Sequence, residues 1–369
     1  MSWSDTAFTR RLGLRYPIVQ GPFGGGLSAV DLAVAVSEGG GLGSFGAHHL
    51  DGAGIRDVAA AIRARTARPF NLNLWIPFEG SDALQADEAT FQHWLAPLQT
   101  YFDELGVPLP APPAHYAPAF SEQIEAVLAV RPAVFSFVYG IPTPDVLSRC
   151  RELDILTLGA ATTPAEARAL AAAGVDAIVA TGFEAGGHRV SFLHPADRVL
   201  TGGLALVPQV ADAVAVPVVA AGGIADGRGV AAALTLGAQA VQIGTGFLAC
   251  RESGTHDAHR RALFSPAAED TALTRAFSGR LARGIRNSFM EAVGVGPVAP
   301  YPVQGWLSGR LRAAAIAQAR TDLMSLWCGQ SAPLLRQAAV DVFPAAVDYL
   351  QRLVQETAGA FRRQGSQPA

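Results

Sequence analysis

The segment Thr181-Gly182-Phe183-Glu184-Ala185-Gly186-Gly187-His188-Arg189 puts two glycines directly before an imidazole. Without a Cβ, the backbone at Gly186 and Gly187 can pass close to a flat ring, and His188 carries a side chain whose ordinary pKa suits proton transfer near neutrality. A solvated loop histidine is the competing reading. Glu184 is read as a carboxylate capping a nearby backbone N–H. Two glycine turns follow, Ala221-Gly222-Gly223-Ile224 and Gln242-Ile243-Gly244-Thr245-Gly246. There, backbone N–H groups can approach phosphate oxygens and the Thr245 hydroxyl can donate another hydrogen bond. Glycines needed only for tight turns are the alternative. In Phe70-Asn71-Leu72-Asn73-Leu74 the two asparagines share one strand face by period two. A buried Asn needs partners, and a ring edge bearing both donors and acceptors, as a flavin's does, would supply them. Gly21-Pro22-Phe23 begins a rigid turn that allows close approach.

Other chemistries are excluded by what is missing. All 28 basic residues are Arg. Schiff-base, pyridoxal-phosphate and P-loop mechanisms that need a Lys are therefore closed. Cys150, Cys250 and Cys328 are too few and too far apart for a disulfide framework or a CxxC zinc site. None lies on the His188 loop, where a nucleophilic thiol would have to stand. His48 and His49 are expected at the rim; His256 and His259 have i, i+3 spacing but read as a solvated helix, and no metal is expected.

The elements that must hold these residues alternate between short apolar runs and Ala-rich helical stretches, the pattern of βα units. Strands are predicted at 16–20, 41–46, 70–75, 133–139, 155–158, 177–180, 217–221 and 240–243, with helices centred near 29–38, 55–66, 121–130, 144–152, 164–173, 204–214 and 227–236. Eight strands predict an α/β fold, a (β/α)8 TIM barrel, whose chemistry sits at the C-terminal strand ends. Thr163-Pro164 with Glu166 marks one helix start. The barrel is assigned to residues 1–75 and 121–250. Residues 76–120, rich in Pro, form a rim insertion with a helix around 88–105. Residues 251–361 form a helical substrate-binding cap with helices at 309–327 and 339–361, and 362–369 form a flexible tail.

With 50% hydrophobic and 16% charged residues, the chain can bury a large core. A net charge of −3 gives no field favouring nucleic acid or a membrane surface. The longest apolar stretch, 213–225, is shorter than the roughly 20 residues of a membrane span. A start without an apolar leader and few cysteines lead to a cytoplasmic expectation.

Taken together the motifs resemble the nitronate monooxygenase (2-nitropropane dioxygenase) family of FMN-dependent barrels. The resemblance rests on Pro17 to Pro22, Pro69 to Asn73, Ser136 to Pro142, Gly182 to Arg189, Ala220 to Gly229, Val241 to Phe247, Phe277 to Arg280 with Arg283 to Asn287, Tyr301 to Gln304 and Ser325 to Gln330. It implies FMN with its phosphate at Gly222, Gly223, Gly244 and Thr245. The ring would lie against Gly21, Pro22 and Phe23, near Asn73, with Thr181, Gly186, Gly187 and Gln242 also in contact. It further implies His188 as catalytic base and Tyr139, Tyr301 and Gln304 toward the substrate. The implied reaction oxidises alkyl nitronates, and neutral nitroalkanes through His188, with O2 to a carbonyl compound and nitrite. The same fold and a similar loop occur in flavin-dependent enoyl-acyl-carrier-protein reductases, which use NAD(P)H. A non-catalytic flavin-binding protein is a further alternative.

Overall fold

The computed structural model describes residues 2–77, 87–336, 339 and 341–365. Eight parallel strands form the central sheet: β1 (Ile18–Gln20), β2 (Gly43–Gly46), β3 (Phe70–Trp75), β4 (Val134–Val138), β5 (Leu156–Ala161), β6 (Ala177–Thr181), β8 (Val218–Ala221) and β9 (Ala240–Ile243). They are ordered β1-β9-β8-β6-β5-β4-β3-β2. Leu42, just before β2, closes the ring, donating to Ile18 O and accepting from Gln20 N at 2.9 Å each. Strands covered on both faces need no polar alternation, which is why runs such as Phe135, Ser136 and Phe137 are buried throughout.

Every predicted strand is present, with one extended. β5 runs on through Gly159, Ala160 and Ala161, small residues without strand propensity of their own, because they pair with Ile178, Val179 and Ala180 of β6. Helices start where the capping residues stand: Asp51 accepts from Gly54 N, Asp226 from Gly229 N, and Thr163 from Glu166 N ahead of Pro164. Glu166 itself is fully buried and its carboxylate accepts from Thr162 N and Oγ1 and from Phe192 N and Leu193 N. It ties the loop after β5 to the segment beyond the His188 loop. Glu166→Ala strands these four donors, so we expect a loss on the order of 3 kcal/mol, read as a lowered denaturant midpoint. An unchanged midpoint would show that solvent replaces the carboxylate.

The segments outside the alternation fold differently from one another. The rim insertion carries helices Glu88–Leu95 and Gln99–Leu105, and residues 78–86 of it lie outside the described residues. Its Phe91, Leu95, Phe102 and Leu105 pack with Phe277, Phe289, Leu307 and Leu311 in a second core, separate from the barrel core. A three-stranded antiparallel sheet, absent from the sequence prediction, joins β7 (Gly187–His188) to β11 (Ala282–Ile285) and β10 (Thr271–Thr274).

The helix predicted at 309–327 lies at Val303–Ala317: it begins immediately after Pro302 and includes Gly305 and Gly309, held by burial of Leu307, Leu311 and Ala315 at fourfold spacing. The last helix, Ala346–Gly365, corrects the expectation of a cap. Tyr349, Leu350 and Leu353 belong to the barrel core, Tyr349 Oη donates to Ala225 O at 2.8 Å, and Glu356 accepts from Gly227 N at 2.9 Å. This helix therefore fills the outer ring beside the helix Gly227–Thr235. Residues 366–369 of the predicted tail lie outside the described residues. No helix among the described residues is long and apolar enough to cross a membrane.

Candidate active site

The loops at the C-terminal ends of the strands enclose a cavity of about 420 Å³, within the roughly 300–1,000 Å³ range of ligand sites. Gly21, Pro22 and Phe23 after β1, Asn73 of β3, Thr181 at the end of β6, and Gly186, Gly187 and His188 on the following loop all line it. So do Gly222 and Gly223 after β8, Gln242, Gly244 and Thr245 at and after β9, and Tyr301. Two expected residues stand elsewhere. Gln304 is buried off the cavity with both amide ends committed, donating to Ala276 O at 2.6 Å and accepting from Ala299 N at 3.2 Å. It shapes the turn that presents Tyr301. Tyr139 is packed behind the wall, edge-on to Trp75 with ring centroids 5.1 Å apart, and the Arg280 guanidinium lies 3.7 Å from its ring centre.

The loop that bears His188 is held from below. Arg189, 2% exposed, donates to Gly182 O at 2.7 Å and Val199 O at 3.0 Å. Arg283 reaches Phe183 O from β11, and β11 pairs with Gly187 and His188. Glu184 accepts from Gly203 N at 2.9 Å with both oxygens, the capping role read from sequence, at the start of the helix Gly203–Ala213. These contacts leave the His188 ring little freedom. Its Nε2 lies 2.8 Å from Ser278 Oγ, and its ring meets Trp75 at 4.8 Å and Trp327 at 5.4 Å.

Burial, followed by the nearby charges of Arg280 and Arg312, pushes the His188 pKa down to about 3. The near-neutral value expected for a rim histidine is thereby corrected: the imidazole is neutral across the physiological range. Ser278 Oγ is 3.2 Å from Arg280 O. With the hydroxyl donating to that carbonyl, its oxygen accepts from Nε2–H and Nδ1 keeps the lone pair.

The structure adds residues that the motifs did not single out. Trp75 was legible, standing two positions beyond Asn73 on the same strand face. His48 stacks on it with centroids 3.8 Å apart, and burial lowers the His48 pKa. Ser278 and Trp327 lie in segments that carry the resemblance but were given no role there, and Arg312 carries no local signal; segments remote in sequence deliver all three. Asn73 Nδ2 donates to Ser136 Oγ and Asn71 Nδ2 to Ser44 Oγ, and only Asn73 reaches the cavity. His256 is an exposed helix cap. His259, read as solvated, is instead 4% exposed with Nε2 3.0 Å from Trp327 O. No cluster of metal-ligating side chains occurs among the described residues. Burial raises the thiol pKa of Cys150 to about 11 and of Cys328 to about 12, and raises that of Cys250 too. None of the three is poised as a nucleophile.

Comparison with known proteins identifies relatives of this arrangement. A family model described as nitronate monooxygenase matches residues 6–355. A curated nitronate monooxygenase from Paraburkholderia phytofirmans is 41% identical over 364 residues, covering 95% of this chain and 96% of the relative. The crystal structure of a nitroalkane oxidase from Streptomyces ansochromogenes superposes with a TM-score of 0.88 at 37% identity, covering 97% of this chain and all of that one. FabK from Thermotoga maritima superposes with a TM-score of 0.74 at 26% identity, with 98% of each chain covered.

Proposed function

We propose, because this chain belongs to the nitronate monooxygenase family, that its cavity holds FMN and that His188 extends the reaction from nitronates to neutral nitroalkanes. The chain is a flavin-dependent oxidoreductase with nitronate monooxygenase activity.

The cradle fits a flat ring with one phosphate. Gly222 and Gly223 take left-handed backbone angles, φ +96° and +74°, and a Cβ on Gly222 would lie 3.1 Å from Ala185 N. A Cβ on Gly21 would lie 3.2 Å from Gly244 Cα, so a side chain there would press on the loop after β9. Thr245 Oγ1 accepts from Gly329 N at 3.0 Å and keeps its own proton to donate. Gly222, Gly223, Gly244 and Thr245 would hold the phosphate, while Gly21, Pro22, Phe23, Gly186 and Gly187 would hold the ring beside Asn73, Thr181 and Gln242. The two turns suit one phosphate, which supports FMN over a dinucleotide.

A flavin held there would supply the one-electron chemistry between nitronate and O2 by which the family's reaction gives a carbonyl compound and nitrite. The protein's own share is electrostatic and geometric. Arg280 and Arg312 make the surroundings of His188 positive, which favours an anionic nitronate over a neutral molecule of the same shape. A neutral nitroalkane must first lose its Cα proton. His188, neutral and pinned by Ser278 and two indole rings, takes that proton at Nδ1. The negative charge that develops on the nitro group faces the same cations, which offsets the low basicity of the imidazole. Trp75 and Trp327 exclude water around the ring.

The observation that carries this reading is a buried imidazole, fixed by Ser278 and two indole rings in a cavity framed by both glycine turns. Anaerobic mixing of the yellow protein with a nitronate, and separately with NADPH, tests it: we expect the nitronate to bleach the flavin and NADPH to leave it oxidised. Bleaching by NADPH alone would move the chain to the reductase reading. Gly223→Val should obstruct the turn and force a strained backbone, lowering FMN occupancy at least tenfold with the fold retained. Full occupancy by absorbance, or release of FAD on denaturation, would overturn the phosphate assignment.

A further inference from the structure

We propose that a second cavity, set against the first and sharing Arg312 with it, binds an organic carboxylate with an apolar tail. This cavity, of about 560 Å³, shares Gly24, Gly25, Leu27, Arg312 and Trp327 with the flavin cavity as common wall. The rest of its lining combines apolar Ile316, Met324 and Leu326 with a few polar groups.

Arg312 is the reason to expect an anion. Its Nη1 donates to Ser325 Oγ at 3.3 Å, its Nε is enclosed with no partner, and among the described residues no carboxylate lies within ion-pair distance. A half-buried guanidinium with a covered Nε and no counter-charge is costly, and desolvation pulls its pKa down to about 10. Asp257, the carboxylate on the cavity wall, is occupied by Arg260 at 2.5 Å. An independent observation points to the same cavity. Thr255 is 3% exposed, lines this cavity and not the other, and its Oγ1 has no hydrogen-bond partner. A carboxylate on Arg312 would supply the missing counter-charge on a wall that Thr255 shares, with its tail against Ile316, Met324 and Leu326.

Occupancy would also be felt next door. Arg312 is one of the charges that weaken His188 as a base, so an anion placed on it would restore part of that basicity.

The test is calorimetric titration of flavin-loaded protein with octanoate, and with octanamide as the uncharged isostere. We expect octanoate to bind and octanamide to bind at least tenfold more weakly. Arg312→Gln should weaken octanoate at least tenfold, and Thr255→Val about 3- to 10-fold, with the flavin spectrum and nitronate turnover of Thr255→Val unchanged. Absence of octanoate binding, or equal binding of the amide, would overturn the proposal. So would unaltered binding to Thr255→Val together with strict competition against nitronate, which would put the anion in the flavin cavity. Because the heat of binding requires no turnover, failure of the nitronate chemistry would leave this result readable.

Discussion

His188→Asn, in protein loaded to full flavin occupancy, is expected to lower kcat/KM for a neutral nitroalkane by about 10²–10⁴, the scale of losing a general base. A preformed nitronate has already shed its proton, so its turnover should fall far less. The shorter asparagine gives up the Ser278 contact of Nε2, while Arg189 and Arg283 keep the loop in place. The wild-type pH profile carries the second half of the expectation. A base held near pKa 3 by burial and by Arg280 and Arg312 stays deprotonated as pH falls from 7 to 5, so kcat/KM for the neutral substrate should show no acidic limb near 6.5. Equal fractional losses on both substrates would remove His188 from the base role. An acidic limb at 6.5 that disappears in the mutant would show that the bound flavin reverses the local electrostatics.

Acid is expected to weaken the fold through histidines as well as carboxylates. Burial holds His259 near pKa 4 and His188 near 3, both below the roughly 6.5 of an unfolded chain. The native state then binds fewer protons than the unfolded state below about pH 6.5, so the stability these groups contribute is complete above that pH. It drains away as pH falls toward their folded values, at about 1.4 kcal/mol per pH unit per group. For His259 the cost between pH 6.5 and 4.5 amounts to about 2 kcal/mol. His259→Gln keeps a donor for Trp327 O and cannot titrate. Urea midpoints taken from pH 7 to pH 4.5 should therefore fall less steeply in the variant; parallel curves for the two proteins would show that His259 stays neutral for some other reason.

What the sequence revealed divides along the line between local and remote determination. The barrel strands and the helix starts at Asp51, Thr163 and Asp226 were legible because turn chemistry and apolar runs act over a few residues. The glycine turns and the His188 loop were legible for the same reason, their glycines being demanded by backbone angle and close approach. The setting of His188 was not. Ser278, Trp327, Arg280 and Arg312 come from segments 90 or more residues away, and the burial they impose, followed by the charges of the two arginines, decides how basic the imidazole is. Gln304 was misread because a motif gives a residue's neighbours in sequence but not the direction of its amide. The last helix was misread because amphipathic pattern shows that a helix has an apolar face and says nothing of which surface receives it.

The shared second core has a consequence for how this protein can be recombined with its relatives. Phe91, Leu95 and Phe102 of the rim insertion find their apolar neighbours about 200 residues later, at Phe277, Phe289, Leu307 and Leu311. The two segments are one unit written in two places. A chimera that imports only the insertion, or only residues 257–335, would join faces shaped for different partners and inherit voids or overpacking at every contact. Exchange of both together preserves the interface and moves Tyr301, Arg312 and Trp327 as a set, while the barrel beneath keeps its glycine turns. Crossovers that change the reaction's substrate range should accordingly be found in pairs.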